Sequence, residues 1–258
     1  MRLLIKLRVT ENTPYEMQYH YHLQGFIYNL LRGSIYDQLH DTRGCKFFSY
    51  SNIFPFDDLR QNDLRTLIIS SPDEQFIRYL YDIMQLSAGR GTEIKIGAMK
   101  FNVDSLRKLY TRLPDNSNLN LITGTPIIVR VPREKYKEYN FEPLVNSDSI
   151  YWRNGHPIDL LLEQLQNTLL HKYAEYHWTE TCKDIHLFHG FEFKKQISTR
   201  VFIKDFEQVI IGTVWEFGFN NGNKELVQFA LDSGLGERNS LGFGFMNLSR
   251  KDIYKENT

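Results

Sequence analysis

Near the carboxyl end, Gly234-Leu235-Gly236-Glu237-Arg238-Asn239-Ser240-Leu241-Gly242-Phe243-Gly244 sets four glycines around one arginine. Glycines let a backbone turn where a Cβ would clash, and they leave amide N–H groups able to approach an anion such as a phosphate. A dinucleotide fingerprint does not fit, because it joins a strand to a helix and needs a parallel strand beyond, and 258 − 244 = 14 residues follow the run. No Gly-Lys-Ser/Thr closes it, which removes a P-loop. A hairpin turn without a ligand is the plain alternative. A second group lies on one helical face, where Tyr21, Gly25, Tyr28 and Arg32 put a phenol and a guanidinium one turn apart. The pairs His20/His22 and His186/His189 have no Cys or carboxylate set to complete a site, so neither a metal nor a cofactor is expected.

Positive charge gathers in two places. Between Leu86 and Arg112 there are six bases, Arg90, Lys95, Lys100, Arg107, Lys108 and Arg112, against Glu93 and Asp104, a local balance of 6 − 2 = +4. Lys194, Lys195, Arg200 and Lys204 form a smaller basic stretch. Either is a solvated face or a track for a phosphodiester backbone, and a steep salt dependence of binding marks the second.

These groups need elements to position them. Leu3, Ile5, Leu7 and Val9 alternate with charged residues as a strand does. From about Glu16 to Leu31, Tyr19, Leu23, Ile27, Leu30 and Leu31 recur at helical spacing and turn Tyr21, Gly25, Tyr28 and Arg32 away from the packing face. Lys46 to Ile53 and Leu64 to Ser70 read as strands, a helix opens at Pro72-Asp73-Glu74, and Glu93 to Val103 reads as strand. The order is βαββαβ, a ferredoxin-like domain of an α+β protein. After a turn-rich linker at Pro114-Asp115-Asn116-Ser117-Asn118, a strand over Thr125 to Val131 begins the same order again. A helix from Pro157 to Tyr176, strands from His186 to Lys204 and Gln208 to Phe217, a helix from Lys224 and a strand near Phe243 to Leu248 complete it. The reading is two tandem ferredoxin-like domains, residues 1–115 and 120–258, the second carrying the glycine-rich segment 234–244.

Composition agrees with a folded chain: 31 Lys+Arg balance 31 Asp+Glu and 41% of residues are apolar, which excludes a disordered tail. Net neutrality removes the easy argument for a nucleic-acid binder while leaving room for a local basic face. Cys45 and Cys182 read as thiols of a reducing compartment, and no apolar run reaches membrane-span length, so a cytoplasmic location is expected. Leu241 to Leu248 matches the base-stacking RNA-recognition signature in part, with Leu241 at its basic position and Leu248 at its closing aromatic one.

The run from Gly234 to Gly244 resembles the signature loop of the CRISPR-associated repeat-processing endoribonucleases of the RAMP superfamily: glycine, apolar, glycine, five residues including a base, then glycine, apolar, glycine. The amino-terminal half is similar to the same family over Tyr21 to Asn29, at His40, and over Arg43 to Tyr50. The resemblance implies two ferredoxin-like domains and metal-independent cleavage of a precursor transcript within each repeat, releasing guide RNAs. It makes Tyr28, His40 and Lys46 the catalytic set, and repeat RNA the partner, with CRISPR effector subunits or a second copy of the chain as further partners. A non-catalytic RNA-holding subunit of an interference complex is the alternative, and a pure binder has no need of all three residues. RNA contacts are expected at Tyr21, Arg32, Lys194, Lys195, Arg238 and the glycines 234, 236, 242 and 244.

Cleavage of RNA without a metal uses the ribose 2′-OH as an internal nucleophile. One group must take its proton, one must protonate the leaving 5′-oxygen, and one must stabilise the phosphorane. His40 suits either proton transfer near neutral pH, Lys46 supplies positive charge, and Tyr28 orients the 2′-OH or shares in proton transfer.

Overall fold

The computed structural model describes residues 1–42, 44–114, 119–144, 146–179, 185–203, 206–220 and 223–249. Arg43, Cys182, Lys204 and linker positions 115–118 lie outside the described residues. The chain forms two compact units. The first holds Met1–Thr111 with Arg200–Gln208 and Ser240–Gly242, and the second holds Arg112–Thr199, Val209–Asn239 and Phe243–Thr258. The units therefore do not divide the chain at a single point.

In the first unit the elements run β1 (Arg2–Val9), α1 (His20–Leu31), β2 (Ser49–Tyr50), β3 (Leu64–Ser70), α2 (Glu74–Gly89), β4 (Ile94–Ile96) and β5 (Met99–Leu109). The sheet order is β2-β3-β1-β5-β4, with β1 flanked antiparallel by β3 and β5. Leu3, Ile5, Leu7 and Val9 are buried, as their alternation predicts. They pack in one cluster with Leu23, Ile27 and Leu31 of α1 and with Phe76, Ile77, Leu80 and Met84 of α2. Burial of each such side chain contributes about 1.5–3 kcal/mol. Asp73 caps α2, its carboxylate accepting from the Gln75 and Phe76 amides at 2.8 and 3.1 Å.

The second unit runs β6 (Leu119–Thr123), β7 (Arg130–Pro132), β8 (Ser149–Tyr151), α3 (Ile158–His177), β9 (Phe188–Ile203), β10 (Phe206–Phe219), α4 (Lys224–Ser233) and β11 (Met246–Leu248). Its sheet order is β11-β6-β10-β9, and β7 and β8 form a separate antiparallel pair. Numbered within each βαββαβ repeat, with β5 as the fourth strand of the first and β4 an added edge strand, the two sheets read 2-3-1-4 and 4-1-3-2, the same order seen from opposite edges. Both are ferredoxin-like. No helix among the described residues is long and apolar enough to cross a membrane.

Several boundaries differ from the sequence reading. The run from Glu93 to Val103 is a hairpin, because Gly97 at φ +61° turns β4 into β5, with Ile96 facing Met99. Lys46 to Ile53 yields only the two-residue β2; Phe47 has φ +39°, incompatible with an extended strand. The segment Thr125 to Val131 is not a regular strand. Pro126 has no N–H for a ladder, and Ile127 and Ile128 make isolated bridges to Thr213 and Glu237 instead. The first strand of that repeat is β6, at the edge of the expected linker.

Candidate active site

Helix α1 presents three faces. Leu23, Ile27 and Leu31 enter the core, and Tyr21, Gly25, Tyr28 and Arg32 stay at least partly exposed. A third line, His20, Gln24 and Tyr28, repeats every four residues and meets Ser240 and Leu241, the glycine-rich residues that belong to the same unit. His20 Nδ1–H donates to the Leu241 carbonyl at 3.0 Å, and Gln24 Nε2 donates to the Ser240 carbonyl and hydroxyl at 3.1 and 3.2 Å. Burial pushes the His20 imidazole down to about 4, with the Leu241 bond opposing, so the ring is neutral near pH 7. The Tyr50 hydroxyl donates to the His20 carbonyl at 2.8 Å, and its ring fills the space a Cβ on Gly242 would need.

Tyr28 and His40 line one cleft of about 340 Å³, together with Tyr21, Arg32, Asp37 and Asp41. Their rings meet edge to face at 5.1 Å and 90°, and Tyr28 also touches Phe48 at 6.2 Å. Burial holds the Tyr28 phenol above its ordinary pKa, and a side-chain hydrogen bond with Ser240 opposes that rise. Tyr28 is therefore a protonated donor at neutral pH. His40 is 65% exposed, and its Nδ1–H donates to Asp41 Oδ1 at 2.7 Å, leaving Nε2 as the atom that can take or give a proton. Asp41 escaped the sequence reading, although its place next to His40 was a signal. Ser240 escaped it too, because nothing local to α1 names a partner more than 200 residues away.

Lys46 is held next to the segment that carries His40. Its ammonium donates to the Leu39 carbonyl at 2.5 Å and to the Thr42 carbonyl, so it straps the segment on both sides of His40 and does not line the cleft. Arg32 lines the cleft, exposed, and has no ion-pair partner among the described residues.

The glycines of the 234–244 segment are all buried and all have positive φ, from 67° to 88°. The Gly234 and Gly244 amides already donate to the Ala230 and Pro126 carbonyls, so these two N–H groups are not offered to a phosphate. A Cβ on Gly236 would lie 2.6 Å from the Ile128 carbonyl oxygen, which makes this glycine a requirement of the turn's own packing. Arg238 is half-buried, with φ +56°. Lys194 pairs with Glu192 at 2.5 Å and with buried Glu216 at 3.1 Å, and the Glu192 bond raises its pKa. Lys195 points to the opposite face of β9 and is exposed. Of the +4 stretch, Lys95 pairs with Glu93 at 3.8 Å and Lys100 with Glu11 at 2.9 Å.

Three comparisons bear on this arrangement. Residues 109–248 match the family model described as CRISPR associated protein Cas6, C-terminal. The chain is 30% identical over 260 residues to the CRISPR-associated endoribonuclease Cas6 of Haloferax mediterranei, covering 97% of this chain and 94% of that one. It is 26% identical over 261 residues to CRISPR-associated endoribonuclease Cas6 2 of Methanocaldococcus jannaschii, covering 96% and 99%. Among solved structures, one described as CRISPR associated protein Cas6 superposes with a TM-score of 0.69 at 24% identity, over 97% of this chain and 99% of that one. Another, described as a RAMP protein binding different RNA substrates, gives 0.73 at 24% identity, over 97% and 100%. Both share the tandem ferredoxin-like fold. Since the family model spans more than half of the residues and the relatives extend the match across both sheets, the chain belongs to the Cas6 family of CRISPR-associated endoribonucleases.

Proposed function

We propose that this chain cuts precursor CRISPR RNA within its repeats by a metal-independent reaction, releasing mature guide RNAs. The observation that carries this reading is the edge-to-face pair of Tyr28 and His40 in a cleft that Arg32 also lines. The 2′-oxygen attacks phosphorus and the bond to the 5′-oxygen breaks, leaving a 2′,3′-cyclic phosphate and a 5′-OH. His40 Nε2 moves a proton on this path, its tautomer set by Asp41. Tyr28, kept protonated by burial, donates a hydrogen bond to the 2′-oxygen or to a phosphoryl oxygen. Lys46 acts by positioning, through the two carbonyls that flank His40. Internal attack needs proton transfer, orientation and positive charge, and the side chains supply all three without a Lewis acid.

The RNA contacts in this reading fall to Arg32 at the cleft and to Arg238 and Lys195 as phosphate partners. The glycines 234, 236, 242 and 244 serve by shaping the turn that presents Arg238 and Ser240. Lys194, already between two carboxylates, contributes less than Lys195.

The test is incubation of the wild-type chain with end-labelled repeat RNA from the host's own array in EDTA. A single cut with a cyclic-phosphate end is expected, and a 2′-deoxy residue at the scissile position abolishes it. Cleavage of the deoxy substrate, or dependence on added metal, overturns the mechanism. Tight binding without any cut makes the chain an RNA-holding subunit.

A further inference from the structure

Gly25 is a glycine that packing does not explain. It lies in the middle of α1, where glycine costs about 1 kcal/mol relative to alanine. An ideal Cβ at this position meets nothing within 4 Å, and its φ is not in the left-handed region. By contrast, the space above Gly97 is filled by the Glu16 carboxylate. The open space over Gly25 leaves room for a ligand to approach the helix backbone.

Two clefts meet there. The smaller holds Tyr28 and His40, and a larger one of about 900 Å³ lies between α1 and the β4–β5 turn, lined by Glu16, Tyr21, His22, Phe26 and Lys95 among others. Tyr21, Gly25 and Asn29 line both. The larger cleft suits a base better than a phosphate. The Glu16 carboxylate accepts from the Ala98 amide at 2.6 Å and faces His22 Nε2 at 3.6 Å, so it repels a phosphate while remaining an acceptor for a base amino group. Tyr21, His22 and Phe26 offer ring faces for stacking, a contact worth about 1–3 kcal/mol per base.

We propose that Gly25 is the saddle over which the RNA strand crosses α1, with the scissile phosphodiester beside Tyr28 and His40 and the base of a neighbouring nucleotide in the larger cleft. The proposal rests on the endoribonuclease reading above and adds a base-binding subsite to it. A side chain on Gly25 lifts the strand from the helix and uncouples the two clefts.

The experiment is single-turnover cleavage of repeat RNA over a range of enzyme concentrations for wild type, Gly25→Ala and Gly25→Leu, with thermal unfolding of each. Both substituents favour helix, so Tm at or above that of wild type is expected. The half-saturating enzyme concentration should rise a few-fold for alanine and at least tenfold for leucine. In parallel, substrates with a single abasic position on either side of the cut are compared on wild type and Tyr21→Ala. One abasic position should weaken wild type about tenfold and weaken Tyr21→Ala much less, because the stacking partner is already gone. Gly25→Leu with wild-type half-saturation overturns the saddle, and abasic losses that are equal in wild type and Tyr21→Ala overturn the subsite. Should leucine lower Tm, alanine and the abasic pair decide. Wild type that cuts while Gly25→Leu cuts equally well leaves the endoribonuclease reading intact; wild type that never cuts overturns both.

Discussion

Helices α1 and α3 occupy the same place in their repeats, each following the first strand of its sheet, and they use polar residues in opposite ways. Helix α3 is charged, and Glu163 and Lys172 spend their charges inside the protein. Glu163 pairs with Lys135 at 2.6 Å and accepts from Tyr139 at 3.2 Å, and the Lys135 bond holds its carboxyl below the ordinary range. Lys172 is buried and donates to the Gly234 carbonyl at 2.6 Å and to Asn239 Oδ1 at 2.8 Å. Helix α1, from His20 to Leu31, contains no Asp, Glu, Lys or Arg at all. Its polar residues are histidines, tyrosines and amides, and one line of them braces Ser240 and Leu241 while another lines open clefts. On one fold, then, charged side chains of α3 are tied into internal contacts, while α1 turns rings and amides toward open clefts.

The widest break of this comparison is kinetic. His40→Ala is expected to slow single-turnover cleavage about 10³-fold, the usual worth of a positioned proton-transfer group. Glu163→Gln, in α3, should change it by less than about twofold. Comparable losses in both variants would erase the division between the cleft that α1 lines and helix α3.

The next is a stability effect on the other side of the comparison. Lys172→Met leaves the Gly234 carbonyl and the Asn239 amide oxygen without their ammonium donor, at a cost of about 2 kcal/mol. Urea unfolding should show a lower midpoint with an unchanged slope. An unchanged midpoint would mean that the buried charge on α3 is not structural.

The smallest expected effect concerns His20. Its folded pKa of about 4 lies below the ordinary 6.5, so as pH falls the unfolded chain takes up this proton first. The stabilisation is full above pH 6.5 and is lost progressively toward pH 4. Between pH 7.5 and 5.5 the loss from this group is about 1 kcal/mol. Urea midpoints at the two pH values check it, with His20→Gln expected to be less pH-sensitive by that amount. Equal pH sensitivity in both proteins would remove His20 from the brace on α1.

Much of the fold is legible in the residues themselves. The alternation in β1 and the stripe of α1 follow from periodicity, because both elements bury one face against one core. Helix α1 starts at His20 and not at Glu16, whose carboxylate accepts from the Ala98 amide, a contact that no pattern encodes. Thr125 to Val131 has the β-branched content of a strand, and Pro126 breaks the ladder it would need. At the site, the residue types of Tyr28 and His40 were readable by resemblance, and the structure brings their rings together. The contacts of Lys46 are a different matter. Which carbonyls an ammonium reaches depends on how the 39–42 segment turns, and no periodicity encodes it. The partnership of α1 with Ser240 and Leu241 was equally silent, since it joins residues with no shared pattern.

The bond from His20 to Leu241 spans 221 residues of sequence. During synthesis the ribosome must add all of them before the helix that carries Tyr28 gains its brace, a delay of roughly 10–40 s at 5–20 residues per second. Until then the cleft residues exist without the contacts that set them. A nascent chain thus exposes helix α1 before its brace exists, and products truncated ahead of Ser240 lack that support as well.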